Sequence, residues 1–244
     1  MKIKITKNDL IRSGADCDGL DQFNKLYPHG YNGEWTAEKQ IEVLKGPLGK
    51  YLGWAWYKGI LPMSSMNGAS FNSVNLIGAS FDGASLDDAH FDGASLDDAH
   101  FDGANLIGAR FDGASLIGAR FDGANLIGAS FNSVNLIRAH FDGVNLIRAH
   151  FDGASLYGAH FDGARLDDAS FDGARLDDAS FDGASLIRAH FDGASLDDAH
   201  FDGASLYGAH FDGASLIGAH FDGAKYSNNL PGWESVNGIL QKKS

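Results

Sequence analysis

The sequence predicts a mainly β protein, a solenoid whose chain turns a corner every five residues. Two observations carry this. From Phe71 to Phe221 every fifth residue is Phe or Leu, 31 times without a break and in strict alternation. Two residues before each stands a small apolar residue, Ala almost throughout and Val at Val74, Val134 and Val144.

A period of five excludes the simpler elements. On an α-helix it advances ~1.4 turns per unit and smears the apolar set around the axis. In a flat strand, where side chains alternate with period two, an odd repeat flips faces at each unit. A corner in every unit removes the conflict. The small residue and the Phe or Leu, two apart, then both point inward, and the residues between them point out. Glycine after Phe-Asp provides the backbone freedom a corner needs. No proline between Ser64 and Tyr226 removes a backbone donor. The expected core is a ladder of Phe71, Leu76, Phe81, Leu86, Phe91 and Leu96, continuing through Phe151 and Leu156 to Phe221, each burial contributing ~1.5–3 kcal/mol.

Units such as Ala-Asn-Leu-Ile-Gly, at 104–108 and 124–128, resemble the pentapeptide-repeat family, whose motif is roughly Ala-(Asp/Asn)-Leu-x-x. The resemblance implies a right-handed quadrilateral β-helix of about eight coils, each of four units or about 20 residues. Phe then lies on two opposite faces and Leu on the other two. With paired strands ~4.8 Å apart, the repeats span roughly 38 Å. One departure stands out: the residue before the central Phe or Leu is often Ser, His or Arg, and the acid follows it instead.

Three regions follow in order. Residues 1–63 read as a small α-helical capping domain, with Leu20, Phe23 and Leu26 as the apolar stripe of a helix ending near Pro28. Thr36-Ala37-Glu38-Lys39 reads as the N-cap and first turn of a second helix, running to about Lys45; 48–57 reads as a third. The run Gly14-Ala15-Asp16-Cys17-Asp18-Gly19-Leu20, followed by Phe23 and Tyr27-Pro28, is similar to short helical modules of bacteriophage proteins. Residues 64–226 form the solenoid. Residues 227–244 leave the register at Pro231, and Trp233, Val236, Ile239 and Leu240 fit one face of a short helix, either a cap or a homodimer contact. Caps are expected because open sheet edges aggregate.

The charge is concentrated in the solenoid. The whole chain carries a net −13, but between Ser64 and Tyr226 there are 24 Asp against seven Arg and one Lys, a net of −16. Over the estimated length that is about −0.4 charge per Å, against about −0.6 for duplex DNA. Fourteen of the sixteen Phe units read Phe-Asp-Gly, so coils stack aspartates in columns such as Asp142, Asp162, Asp182, Asp202 and Asp222. Such columns either mimic DNA toward a basic groove or serve corner amides and solubility. A second candidate contact surface is apolar: Ile107, Ile127 and Ile147 on one face, and Ile117, Ile137 and Tyr157 on the opposite one.

Nine histidines each precede a Phe, and His200 should stack on His220 and His190 on His210. Imidazole pairs are zinc and nickel ligands, but a third and fourth ligand of fixed geometry are not visible in the pattern, so no metal or cofactor is expected. Threonine is absent from the repeats, which argues against a Thr-ladder ice-binding face. No nucleophile–base pair or phosphate loop is present, so no enzyme is expected. No segment approaches the ~18 apolar residues of a membrane span. The lone Cys17 fits a reducing compartment, and a bacterial or phage-infected cytoplasm, or a virion, is the expected location.

Function is therefore expected from a surface. One alternative is an acidic rod that binds a protein with a basic surface, without contacting nucleic acid itself. The family resemblance implies DNA gyrase or topoisomerase IV, since quinolone-resistance members bind gyrase. The other is a structural spacer or assembly element, phage-associated or an engineered scaffold.

Overall fold

The computed structural model describes residues 2–15, 17–46, 48, 65–226, 233–236 and 238–242. Between Ser70 and Lys225 the backbone pairs in parallel with itself at a constant offset of twenty residues. Ser70 pairs with His90, Asn75 with Ser95, Ser80 with His100 and Ser85 with Asn105, which defines the four faces. Each face contributes a short ladder: Phe81 N–H donates to His100 O at 2.7 Å, Gly83 N–H to Asp102 O at 2.9 Å, and His100 N–H to Ala79 O at 2.9 Å. Backbone groups are thereby satisfied between coils rather than within a long strand.

A turn closes each unit. Ala84 N–H donates to Phe81 O at 2.9 Å, and the third turn residue, Gly83, has φ +65°. This is the turn class that requires positive φ at that position. The five-residue period thus has a local cause: two residues of paired strand, then a corner.

The interior is filled by the predicted ladder. Phe71, Phe81, Phe91, Phe151 and Phe221 are fully buried, as are Leu86, Leu96 and Leu156, with Leu76 at 2 % exposure. Phe rings of one face stack nearly parallel along the axis, Phe151 on Phe171 at 4.8 Å and 3°. Rings of opposite faces meet edge to face across the centre, Phe151 against Phe161 at 5.8 Å and 84°. The edge-to-face contacts are the arrangement that the aromatic quadrupole prefers. The small inward residue leaves room for this; it is Ala almost throughout, and beside Leu the position also accepts Val134 and Val144, both buried. The end coils loosen: Phe211 and Leu216 become partly buried in the last, and the inward Ala69 and Val74 in the first.

The flanks differ from the sequence expectation. The N-terminal part is mixed rather than α-helical: β1 (Lys2–Ile5), α1 (Lys7–Arg12), α2 (Cys17–Leu26), β2 (Tyr31–Glu34) and α3 (Ala37–Leu44). The first strand pairs antiparallel with the second, Ile5 opposite Tyr31. A Thr6/Asp9 capping box opens α1, and Thr36 caps α3, its Oγ1 accepting from Lys39 N–H at 3.2 Å. The expected stripe of α2 holds for Phe23, which is buried, but Leu26 is 47 % exposed. The third expected helix lies, from residue 49 onward, outside the described residues. Lys45 Nζ donates to Ser70 O at 3.0 Å, tying the end of α3 to the first rung.

The C-terminal tail is a β-hairpin, not a helix: β3 (Trp233–Val236) pairs antiparallel with β4 (Ile239–Lys242), Val236 opposite Ile239. The four apolar residues do not share one face: Trp233 and Leu240 are buried, whereas Val236 and Ile239 lie on the opposite, exposed face. Asn237-Gly238 is a strong hairpin signal, and Gly238 has φ +79°. The fourth strand continues the solenoid: Lys225 pairs antiparallel with Ile239, Tyr226 N–H donates to Gly238 O at 3.0 Å, and Leu240 N–H to Ala224 O at 2.7 Å. Trp233 packs edge-on against Phe221 at 5.6 Å.

Candidate interaction surface

The aspartate columns stand as the period requires, and in the column from Asp142 to Asp222 every carboxylate but the last bonds to the next coil. Asp162 N–H donates to Asp142 Oδ1 at 3.2 Å, Asp182 N–H to Asp162 Oδ1 at 3.2 Å, Asp202 N–H to Asp182 Oδ1 at 2.8 Å, and Asp222 N–H to Asp202 Oδ1 at 2.8 Å. One oxygen of each of these four groups is thus committed to a corner amide, which holds the carboxylate in place. The corner-amide role expected of aspartate is present; it also pre-orders the charge. Serine reinforces several groups: Ser130 Oγ donates to Asp112 Oδ1 at 2.5 Å, and Ser180 Oγ to Asp162 Oδ1. Asparagine performs the same task without charge at three corners, Asn67 accepting from Asp87 N–H at 3.1 Å, Asn72 from Asp92 N–H at 3.0 Å and Asn132 from Asp152 N–H at 3.1 Å.

The Asp-Asp pairs divide in role. At Asp97, Asp167 and Asp197 the first member accepts from the next coil, Asp97 Oδ1 from Ile117 N–H at 3.0 Å. The second member, at Asp88, Asp98, Asp168, Asp178 and Asp198, occupies the positive-φ corner position.

Repulsion along the columns is relieved locally by arginines whose role the sequence pattern did not expose. Arg120 bridges two coils, Nε 3.4 Å from Asp102 Oδ2 and Nη2 2.8 Å from Asp122 Oδ2. Arg110 does the same less tightly between Asp92 and Asp112. Arg188 grips Asp168 with two bonds, at 2.6 and 2.8 Å, and this holds the Asp168 carboxyl below its ordinary range. At Asp102 burial prevails instead and raises the pKa, Arg120 opposing and the neighbouring Asp122 and Asp82 adding to the rise. The signal that could have revealed these pairs is spacing: Arg110 and Arg120 each stand two residues before one aspartate of a column and eighteen after another, and Arg188 stands twenty after Asp168.

The apolar candidates form the two expected columns, Asn105, Asn125 and Asn145 pairing in register beside Ile107, Ile127 and Ile147, and Ser115, Asn135 and Ser155 beside Ile117, Ile137 and Tyr157. Ile107 and Ile117 are 38 % exposed and Tyr157 45 %, whereas Ile127, Ile137 and Ile147 are half-buried. The strips are therefore narrower than the sequence suggested. A bond with Asp178 raises the pKa of Tyr157.

The histidine columns form as expected: His140 stacks on His160 at 4.9 Å, His190 on His210 at 4.7 Å and His200 on His220 at 4.8 Å. The third ligand absent from the sequence pattern is present in space. His and Asp flank each Phe at positions two apart and so emerge on the same outward side. Three seats result, Asp82–His100–Asp102, Asp142–His160–Asp162 and Asp172–His190–Asp192, each with one ligand atom per residue and all within 4.8 Å of one another. Among the described residues no helix is long and apolar enough to cross a membrane.

Comparison with known proteins agrees with this geometry. The family described as "Pentapeptide repeats (8 copies)" matches residues 64–103 and 94–132, and "Pentapeptide repeat region" matches 144–221. No curated protein sequence matches the chain. Solved structures with a likeness to it include the pentapeptide-repeat protein Rfr23 from the cyanobacterium Cyanothece 51142, at 21% identity and TM-score 0.37, covering 42% of this chain and 91% of that one. HetL, involved in heterocyst differentiation regulation in the cyanobacterium Nostoc sp. strain PCC 7120, gives 23% identity and TM-score 0.31 over 71% of this chain and 94% of its own. A trypsin-treated variant of QnrB1, a plasmid-mediated fluoroquinolone resistance protein, gives 20% identity and TM-score 0.44 over 68% and 91%. At such scores the assignment rests on the family matches, which together span more than half of the chain, and with them the chain belongs to the pentapeptide-repeat family.

Proposed function

We propose that the solenoid is a non-enzymatic interaction surface that offers a DNA-like row of fixed charges to a basic protein groove, that of a type II topoisomerase such as DNA gyrase or topoisomerase IV. One observation carries this: the column from Asp142 to Asp222, in which every carboxylate but the last is held by the amide one coil on. Charges already held at ~4.8 Å intervals lose little freedom on binding, and release of their mutual repulsion by a basic partner favours the complex. The gyrase version draws on what membership of the family implies; the charge row supports any partner with a basic groove. A spacer that grows end to end is disfavoured, because β4 already pairs with the last rung.

The test separates charge from fold. The triple variant Asp142→Asn, Asp162→Asn, Asp182→Asn keeps every corner acceptor, as Asn72 and Asn132 do in the native chain. Supercoiling by purified DNA gyrase is expected to be altered by the wild-type chain at micromolar concentration, the effect weakening as salt rises. The triple variant should melt no lower than wild type yet lose most of that effect. No change in supercoiling with the wild-type chain removes the topoisomerase partner, and an undiminished effect of the triple variant removes the charge row as its cause.

A further inference from the structure

We infer that the seat formed by Asp172, His190 and Asp192 is a binding site for a divalent transition ion of the zinc class, which would clip two neighbouring coils together. The three ligand atoms lie within 4.8 Å of one another. A tetrahedral site with bonds of ~2.0–2.1 Å needs its ligand atoms about 3.4 Å apart, so modest side-chain rotation closes the seat. His190 and Asp192 are half-buried and Asp172 is exposed, which leaves one side open for water as a further ligand.

The carboxylates are already oriented. Asp172 Oδ1 accepts from Asp192 N–H at 3.0 Å, and Asp192 Oδ1 from Asp212 N–H at 2.9 Å. The second oxygen of each is left for a ligand, and these amide bonds hold the donors in place much as hydrogen-bond partners orient the ligands of a metal. The charge fits: two carboxylates and a neutral imidazole neutralise a divalent ion. The donor set of one nitrogen and two oxygens suits zinc better than magnesium, which demands six oxygens in an octahedron.

An independent observation marks this as a cation seat. Four coils earlier on the same face, Arg110 takes the place of His190, and its guanidinium lies between the carboxylates of Asp92 and Asp112, at 3.7 and 3.3 Å. On the opposite Phe face Arg120 fills the corresponding gap between Asp102 and Asp122. Where the position is Arg, the cation is built in; where it is His between two Asp, the site is completed by an ion from solution. The Asp142–His160–Asp162 seat repeats the arrangement and should bind in the same way. Asp82–His100–Asp102 is weaker, since Ser80 Oγ donates to Asp82 Oδ2 at 3.0 Å and Arg120 competes for Asp102.

Calorimetric titration of the full chain with zinc chloride, and with magnesium chloride in parallel, tests this. Two variants are matched to what other coils already carry: Asp172→Asn, since Asn72 and Asn132 occupy equivalent corners, and His190→Ser, since Ser170 stands at that place one coil earlier. Saturable zinc binding is expected, with a rise in melting temperature and no magnesium response. Each variant should remove one site's worth of zinc or weaken it by about ten- to hundredfold. Unchanged zinc binding by Asp172→Asn would show that the histidine stacks alone hold the ion and overturn the site. So would the absence of saturable zinc binding in the wild-type chain, or magnesium bound as tightly as zinc.

Discussion

At the scale of single residues, the fold depends on one backbone position per unit, the third of each corner. Glycine holds it in most units, but Ser73, Ser133, five aspartates and Arg138, Arg148 and Arg188 also adopt positive φ there, between 55° and 60°. Gly163 isolates the cost of that conformation. It has φ +65°, and a Cβ added to it would meet nothing within 4 Å. Gly163→Val should therefore destabilise by about 1–2 kcal/mol through backbone strain alone, read as a lower denaturation midpoint with an unchanged m-value. A neutral outcome would mean that the corner relaxes to another turn. Aspartate at this position was legible only as charge: the sequence shows an acid pair, whereas the structure splits it into an amide acceptor and a strained corner, a division set by turn geometry. Arg188 was less legible still, because a long cationic side chain is no turn former. Its bidentate bond to Asp168 offsets part of that local strain.

At the scale of elements, the aromatic columns were the most readable feature, since a five-residue period combined with a hydrophobic requirement leaves one inward register. The edge-to-face contact between opposite columns was not readable, because it depends on ring orientation across the tube. Phe151 shows what this packing contributes. Its ring stacks on Phe131 and Phe171 at 4.9 and 4.8 Å and meets Phe141 and Phe161 edge-on at 6.0 and 5.8 Å. Phe151→Ala opens a cavity that four aromatic neighbours cannot close without leaving their own columns, so a loss of about 3–5 kcal/mol is expected in chemical denaturation. A loss below ~1 kcal/mol would show that the rungs slide along the axis to fill the gap. The flanking elements were less legible for a different reason. Trp233, Val236, Ile239 and Leu240 keep a helical spacing in the sequence, and only the Asn-Gly signal and the last rung, a long-range partner, favour the hairpin, which leaves Val236 and Ile239 exposed.

At the scale of the whole molecule, stability passes from coil to coil, because each coil touches only its neighbours. The ends therefore govern association. The last rung would present Ala224 O and Tyr226 N–H to solvent as a template for another chain; instead Leu240 and Gly238 satisfy them, while Trp233 and Leu240, at 6 and 1 % exposure, cover the end of the Phe column. An antiparallel hairpin is suited to this, since its other edge no longer matches the parallel rungs and further coils cannot add in register. A chain ending at Tyr226 should thus melt at lower temperature and self-associate more strongly with rising concentration than the full chain in sedimentation velocity. Leu240→Asp, which keeps the hairpin's length but places a charge against the column end, should shift both quantities in the same direction by a smaller amount. If both chains sediment as the full chain does at every concentration, the rung edge is not the sticky element, and solubility comes from the acidic columns along the sides, whose mutual repulsion between molecules salt would screen.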